Sequence, residues 1–325
     1  MADTALRPLS TSQLLDRTFH LYRNNFWLFA GIAILPPALE LMLELTLVPA
    51  AAFAPGAAPD PTVLLRLFLY LGAQFIVVYL IGSSIAEGAT IHAVSRVHLG
   101  APTGIAEAYR AIMPLMPRII GIVTLVGLML LLVYIATYIV VLIPTILLVV
   151  GAAAAGGRSP AAGIVLGVVV GLLVLAGIVG AIFVGVWIYC RYSLAVPTCV
   201  LEKLPATQCL RRSSYLSKKS ILRIALVFLL MWIIKFAAAA VLSIPTFIGM
   251  GMNHGVQTLP FRIWGYTAGF VAGTVAGPIA SIAVALLYYD QRVRKEAFDL
   301  QLMMEAIGVT GPRQPVAAPA PPTIG

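Results

Sequence analysis

The chain has 325 residues, of which 61% are hydrophobic and only 10% are charged, and its mean hydropathy is +1.00. This balance excludes a soluble domain of this length, in which about 25% of the residues would be charged. The net charge of +9 does not indicate nucleic-acid binding, because the basic residues flank apolar runs instead of forming one basic domain. We expect membrane lipids, through their anionic headgroups, as the partner.

Six apolar stretches are long enough to cross a bilayer, since about 20 apolar residues span the roughly 30 Å of hydrocarbon. They are residues 26–48, 63–86, 119–150, 163–189, 221–247 and 263–289. Their apolar runs are continuous, without the alternation of a barrel strand, and a helix satisfies its own backbone hydrogen bonds. We therefore predict an all-α fold, a polytopic transmembrane helical bundle of six spans with amphipathic cytoplasmic interfacial helices.

Basic residues mark one side of these spans. The segments before the first span, between the second and third, between the fourth and fifth, and after the sixth carry most arginines and lysines, whereas only Arg66, Arg158 and Arg262 lie on or near the other side. By the positive-inside rule the basic segments face the cytoplasm. The pattern predicts that both termini are cytoplasmic.

Three regions follow from this topology. Residues 1–25 form a cytoplasmic amphipathic segment, and residues 26–307 form the six-span domain with a juxtamembrane C-terminal helix. Residues 308–325 are rich in Pro and Ala and are expected to be a disordered cytoplasmic tail, because such a composition cannot form a packed core. The first apolar stretch is longer than the core of a signal peptide and is expected to be an uncleaved span.

A similar arrangement precedes each odd-numbered span. A basic, amphipathic stretch begins near Pro8, Pro102 and Pro205, and each leads into an apolar run. This recurrence predicts three parallel units, each an interfacial helix followed by a helical hairpin. The alternative is that such cytoplasmic stretches recur because many membrane proteins have them.

Charged side chains within the spans require partners, because each costs about 2.5–3.5 kcal/mol at mid-helix. At 1.5 Å per residue from the cytoplasmic ends, Glu40 and Lys235 are both about 22 Å deep. Glu44 follows one turn after Glu40, and Arg66 enters from the other side. We predict a buried ion-pair network of these four residues that fixes helix register, with an ion or proton relay as the alternative. Glu87 is expected to be solvated near the cytoplasmic interface.

Glycines recur every four residues in two spans, a period that places them on one helix face. They are Gly265, Gly269, Gly273 and Gly277 in the sixth span, with alanines one step behind at the same interval, and Gly163, Gly167 and Gly171 in the fourth. Missing side chains let a neighbouring backbone approach closely, so we predict helix-packing faces rather than a substrate groove.

Patterns of catalytic or metal-binding residues are absent from the sequence. The histidines are scattered, the three cysteines form no CxxC pair, and neither a nucleophile elbow nor a phosphate loop is found. We therefore expect no enzymatic activity, no metal and no cofactor. Basic residues beside the spans are candidate contacts for anionic lipids, namely Arg211, Arg212, Lys218, Lys219, Arg292, Arg294 and Lys295.

Three segments carry a resemblance to a known family. They are Leu6-Arg7-Pro8-Leu9-Ser10 continuing to Phe26, Cys209-Leu210-Arg211-Arg212-Ser213, and Leu287-Tyr288-Tyr289-Asp290-Gln291-Arg292 continuing to Leu300. Over residues 6–302 the chain resembles the bacterial family named after the membrane domain of glycerophosphoryl diester phosphodiesterase. Enzymes of that family carry a separate soluble phosphodiesterase domain after the membrane part. Here only a short tail follows the last span, so the resemblance implies a membrane module without the catalytic half.

The sequence thus favours a non-enzymatic membrane module that acts as a scaffold or as an accessory in lipid or envelope processes. A small transporter or permease component that uses the buried Glu40, Glu44 and Lys235 is the second hypothesis. An intramembrane enzyme is the third.

Overall fold

The computed structural model describes residues 9–48, 61–154, 160–252 and 258–296, and within these ranges the chain is helical, with no strand. The α-helices are α1 (Thr11–Asn24), α2 (Phe26–Ala33), α3 (Leu35–Leu47), α4 (Pro61–Ala73), α5 (Ser84–His98), α6 (Ile105–Ile112), α7 (Met116–Ala154), α8 (Pro160–Tyr192), α9 (Ala195–Glu202), α10 (Ala206–Ser217), α11 (Ile221–Met252) and α12 (Leu259–Glu296). A π-helical segment, Gln74–Ser83, joins α4 to α5, and a 3-10 turn, Met113–Leu115, joins α6 to α7. The predicted tail, 308–325, and the C-terminal segment 297–307 lie outside the described residues.

Six helical stretches in the described part of the chain are long and apolar enough to cross a membrane. They are Phe26–Leu47, Pro61–His98, Ile105–Gly151, Gly163–Glu202, Ile221–Met252 and Leu259–Glu296, taken below as spans 1 to 6. The predicted all-α bundle of six spans is confirmed. Every span after the first extends beyond one or both of its predicted ends, by up to about four turns at the start of span 3.

Two of the spans depart from a continuous α-helix. Span 1 breaks between α2 and α3 at Ile34, two residues before the pair Pro36 and Pro37, whose nitrogens carry no hydrogen to donate. Span 2 changes from α-helix to the π-helical segment Gln74–Ser83, in which one turn holds more residues. Both departures lie near the middle of the bundle.

A short helix lies before the apolar run of each odd-numbered span, as predicted, although α6 falls within span 3 as bounded above. These helices are α1, α6 and α10. The start of α1 is capped by reciprocal bonds: the backbone N–H of Gln13 donates to Ser10 Oγ at 3.2 Å, and the backbone N–H of Ser10 donates to Gln13 Oε1 at 2.9 Å. The hairpin partners α7 and α8, and α11 and α12, pack along each other.

The buried core lies at one end of the bundle, around the C-terminal half of α12. Tyr288, Leu14, Ile91 and Leu194 are each fully buried there. The other helices present large apolar side chains outward, for example Phe68 and Phe183, both 74% exposed. Such side chains suit contact with lipid. The bilayer, and not protein packing, shields them from water.

The N-terminal segment is attached to the last helix by a cluster of four residues, which we call the Asp290 cluster: Leu9, Arg223, Asp290 and Arg294. The backbone N–H of Leu9 donates to Asp290 Oδ1 at 2.8 Å, and Arg223 Nη1 donates to Asp290 Oδ2 at 2.8 Å. The carbonyl of Leu9 accepts from Arg223 at 2.7 Å and from Arg294 at 2.6 Å. Residues of two of the quoted family segments therefore meet in one buried contact.

A second set of charges lies nearby, and we call it the Arg212 cluster: Glu202, Arg212, Tyr288, Arg292 and Glu296. Arg212 pairs with Glu202 at 3.1 Å and with Glu296 at 2.6 Å. Tyr288 donates its hydroxyl to Glu202 at 2.6 Å, and Arg292 pairs with Glu296 at 3.2 Å. The cluster joins α9, α10 and α12. Arg212, the second arginine of the Cys209–Ser213 segment, therefore has a structural role in this fold.

Candidate functional site

A cavity of about 220 Å³ lies between spans 1, 2, 5 and 6. Its lining combines small and apolar residues with hydroxyl and charged groups, and it comprises Ala33, Pro36, Pro37, Glu40, Val78, Tyr79, Ser83, Ala86, Glu87, Thr90, Lys235, Gly273, Gly277, Pro278 and Ser281. Three of these residues are acidic or basic: Glu40, Glu87 and Lys235. Glu40 and Glu87 are half-buried there, whereas Lys235 is exposed, so the prediction that Lys235 is buried is wrong.

Irregular helix geometry shapes this cavity. The π-helical segment supplies Val78, Tyr79 and Ser83, and the break in span 1 supplies Pro36 and Pro37. A π turn shifts the following side chains relative to the α-helical period. The lining of span 2 nevertheless stays on one side, because Tyr79, Ser83, Glu87 and Thr90 follow one another at intervals of three or four residues.

Glycines let span 6 approach span 1 closely at the cavity wall. A Cβ atom added at Gly273 would lie 2.7 Å from Cγ of Pro37, and one added at Gly277 would lie 3.9 Å from Cβ of Ala33. At Gly82 of span 2, an added Cβ would lie 2.9 Å from a methyl group of Leu39. Spans 2 and 6 thus both pack against span 1.

The charged side chains of the cavity have few protein partners. Glu40 accepts a hydrogen bond of 3.0 Å from the amide of Gln74 in the π-helical segment. Among the described residues, neither Glu87 nor Lys235 forms a hydrogen bond or an ion pair through its side chain. The predicted direct ion pair between Glu40 and Lys235 is therefore not formed. Instead, both side chains line the same cavity.

The helix register revises the depth of Lys235. An added Cβ at Gly265 of α12 would contact Thr246 of α11, so these residues lie opposite each other. Eleven residues further along each antiparallel helix, Lys235 lies opposite Ala276, next to Gly277, which faces Ala33. Its backbone is thus roughly two turns from that of Glu40, about 9–10 Å, and not level with it.

The same reasoning places Glu87 near the level of Lys235. Gly82 packs against Pro36 and Leu39 of span 1. Glu87 lies five residues after Gly82, so it lies about 7.5 Å further along span 2, near the level of Ala33. Glu87 was expected to be solvated at the interface, and this interpretation is corrected: it lines the cavity because span 2 continues as a helix to His98.

The other predicted members of the network lie outside the cavity wall. Glu44 is one turn after Glu40 on α3 and is half-buried, and Arg66 on α4 is exposed. In the described part of the chain, no ion pair joins either of them to Glu40 or Lys235. The structure thus brings together Glu40 and Lys235, adds Glu87, and leaves Arg66 apart.

The glycine faces differ in what they contact. In span 6, Gly265, Gly273 and Gly277 have neighbours on span 5 or span 1, whereas a Cβ at Gly269 would meet no described atom within 4 Å. Space is likewise open at three positions of span 4, namely Gly163, Gly167 and Gly171, as far as the described residues show. The alanines of span 6 are the more buried series, with Ala268, Ala272 and Ala276 between 5% and 8% exposed.

The candidate lipid contacts divide into two groups. Arg211, Lys218 and Lys219 are exposed. The others are engaged by protein: Arg212 and Arg292 belong to the Arg212 cluster, Arg294 belongs to the Asp290 cluster, and Lys295 donates to the carbonyls of Tyr215 and Lys218. Burial lowers the pKa of Arg212, but Glu202 and Glu296 raise it more, so the net shift of its pKa is upward.

Clusters of metal-ligating side chains were also sought. Within the described ranges, no group of three or more His, Cys, Asp or Glu side chains is arranged to hold a metal ion. The three cysteines, Cys190, Cys199 and Cys209, are free thiols and are buried.

The fold defines the class of this chain, a polytopic α-helical membrane protein. No family model, no curated protein and no solved structure matches it. The resemblance to the membrane domain of glycerophosphoryl diester phosphodiesterase remains a prediction from the three quoted segments.

Proposed function

We propose that this chain is a small permease-type membrane protein that binds a polar solute in the cavity between spans 1, 2, 5 and 6. One observation carries the proposal: Glu40, Glu87 and Lys235 line one cavity inside an apolar bundle. Each charge at mid-helix costs about 2.5–3.5 kcal/mol, and ionisable residues within membrane spans commonly mark solute or ion pathways. A pure scaffold has no use for charges that are not paired.

The helices that line the cavity also have the features of moving elements. Span 1 breaks at Ile34, span 2 contains the π-helical segment, and span 6 carries Pro278 at the cavity wall. Prolines and π turns interrupt the backbone hydrogen bonds at which helices bend. Broken helices around a midplane site are common in secondary transporters. The proposed role is therefore non-enzymatic and conformational.

The proposal includes an orientation. The buried core end, where α1, α10 and the end of α12 meet, carries Arg211, Lys218 and Lys219 on its surface. Basic segments flank the cytoplasmic ends of spans. We place this end in the cytoplasm, both termini with it, and the protein in a bacterial inner membrane.

Cysteine labelling tests whether the cavity is water-filled and open in turn to both sides. In a variant whose three native cysteines are replaced by alanine, Ser83→Cys and Ser281→Cys each place a thiol in the cavity wall. In sealed proteoliposomes of known orientation, we expect a small impermeant thiol reagent to label Ser281→Cys from either side.

The control is Leu172→Cys on α8, whose side chain is 60% exposed on the apolar surface and should stay unlabelled in hydrocarbon. If neither Ser83→Cys nor Ser281→Cys is labelled, the cavity is not water-filled. Labelling of both from one side only would indicate a fixed crevice and not a permease.

The exposed cations favour a second function, a scaffold that holds anionic lipid. Arg211, Lys218 and Lys219 lie at the start of span 5, and Lys219 has φ of 69°, so the two lysines occupy a sharp turn. The resemblance to the phosphodiesterase membrane domain also fits a role in lipid processes. Each basic residue near an anionic surface contributes about 1 kcal/mol of attraction.

Lipid retention tests this second function. The protein is purified from vesicles of phosphatidylglycerol and phosphatidylethanolamine, and bound lipid is counted by mass spectrometry. Replacing all three cations by glutamine should remove at least half of the retained phosphatidylglycerol, whereas Arg66→Gln at the other end should not. Equal retention by the triple variant would exclude this lipid site.

A further inference from the structure

Resting on the proposed function, we infer that the solute of the cavity is a small organic cation with one positive charge, an ammonium compound held by Glu87. The described lining residues include two half-buried carboxylates, Glu40 and Glu87, and one ammonium group, that of the exposed Lys235. The lining thus has one negative charge in excess. A ligand with one positive charge neutralises the cavity, and a ligand with a negative charge makes the imbalance worse.

Of the two carboxylates, Glu87 is the one left for a ligand. Glu40 already accepts the amide hydrogen of Gln74 at 3.0 Å. Glu87 forms no hydrogen bond or ion pair with any described residue, although it lies between the buried residues Ala86 and Gly88. A carboxylate with free acceptor positions in such surroundings is a natural partner for a cationic donor.

The remaining lining favours an organic cation over an alkali metal ion. Ala33, Pro36, Pro37 and Val78 offer carbon surface, and Tyr79, which is 59% exposed, adds an aromatic ring of the kind that attracts ammonium groups. A hard metal ion would require a shell of several oxygen ligands. The cavity of about 220 Å³ fits a compound with a few non-hydrogen atoms.

Lys235 has the opposite role. Its backbone lies at the level of Glu87, so a cation that binds Glu87 meets repulsion from the lysine ammonium. Lys235 therefore weakens binding and favours release of the solute. Removal of the lysine charge and removal of the carboxylate charge are then expected to change affinity in opposite directions, which a general loss of folding cannot produce.

Thermal unfolding of the full-length protein in detergent measures the binding. The probes are tetramethylammonium chloride and methylammonium chloride, and sodium chloride at the same concentration is the control for ionic strength. A ligand that binds only the folded protein raises the melting temperature. We expect a rise of a few degrees with at least one ammonium salt and none beyond the salt control with sodium.

Three variants locate the effect. Glu87→Gln should abolish the ammonium-dependent rise, and Lys235→Met should lower the half-saturating concentration at least about fivefold. Glu107→Gln, which removes an exposed carboxylate on α6, should behave as the wild type. An ammonium effect that survives Glu87→Gln would place the site elsewhere, and an equal effect of sodium would indicate a metal ion; either result overturns the inference.

The two proposals fail separately. If cysteine labelling shows a water-filled cavity open to both sides but no ammonium salt stabilises the protein, the permease proposal stands and the ligand class is wrong. If sodium phosphate stabilises the protein and Lys235→Met removes that effect, the solute is an anion. If the thiols stay unlabelled, the permease proposal itself is wrong.

Discussion

The backbone N–H of Leu9 donates a hydrogen bond of 2.8 Å to the carboxylate of Asp290, 281 residues later in the chain. The side chain of Asp290 has no exposed surface, and it also pairs with Arg223 and Arg294. One carboxylate thus holds the N-terminal segment, the start of span 5 and the end of span 6 together.

Removal of this carboxylate should strongly destabilise the protein. Asp290→Asn keeps the size of the side chain but leaves the partly buried Arg223 without its counter-charge. The expected loss is about 3–5 kcal/mol in the free energy of unfolding, as for other buried pairs that lose one partner. The melting temperature in detergent measures it.

Glu107→Gln serves as the control for Asp290→Asn. Glu107 lies 3.7 Å from Arg96, and their side chains are 54% and 43% exposed. Exposed pairs contribute about 0–1 kcal/mol, so this variant should unfold close to the wild type. If both variants lose a similar free energy of unfolding, the Asp290 cluster contributes no more to stability than an exposed ion pair.

Two glycines one helical turn apart in span 6 should respond differently to a single methyl group. Gly273→Ala places a Cβ 2.7 Å from the ring of Pro37, which the helix holds in place, and should cost about 1–3 kcal/mol. Gly269→Ala meets open space among the described residues and should be neutral or stabilise by up to about 1 kcal/mol, because alanine favours helix. Melting temperatures of the two variants give the comparison; equal effects would indicate that span 6 does not pack on span 1 at Pro37.

The energetic coupling between two charged residues of the cavity should be stronger when their backbones lie at the same depth along the spans. In double-mutant cycles of unfolding, Lys235→Met combined with Glu87→Gln should show an interaction energy of about 0.5–3 kcal/mol. The same lysine variant combined with Glu40→Gln should give the smaller value, because the two backbones lie roughly two turns apart. A larger coupling with Glu40 would restore the depth match expected from the sequence.

Reporter fusions test the orientation. Fusions after Asp60, Arg158 and Asn253 should report the outside of the membrane, and fusions after Gly100, Pro205 and Gly311 should report the cytoplasm. The reason is the charge of the connecting segments. A consistent reversal at any one of these positions would require a different number of spans or the opposite orientation.

The number and type of spans could be predicted from the sequence because bilayer thickness sets the length of an apolar helix. The positions of side chains inside the bundle were harder to predict from the sequence. Counting from the sequence ends placed Lys235 and Glu40 level, whereas the contacts of Gly265 with Thr246 and of Gly277 with Ala33 set the helix register and separate the two residues along the spans. Glu87 was misplaced because its apolar run ends at Ala86 while the helix continues for three more turns.

The paired arginines show a further limit. A basic residue beside an apolar run is typical of a lipid contact, and Arg211 is exposed, as such a contact requires. The neighbouring Arg212 instead points between Glu202 and Glu296, which come from α9 and α12. The helix face of α10 that packs against α9 and α12 determines which of the two adjacent arginines contacts protein. The two glutamates that contact this face lie on other helices, so the sequence pattern alone does not reveal the choice.

The contact between Leu9 and Asp290 also sets an order of events during synthesis. At roughly 5–20 residues per second, the ribosome needs about 14–56 s to add the 281 residues that separate them. Throughout that time the segment before α1 has no Asp290 to bind, and Arg223 lacks its counter-charge while the last 67 of these residues are added. The first helix must therefore wait beside the membrane, accessible to chaperones and proteases, until the last span has been inserted.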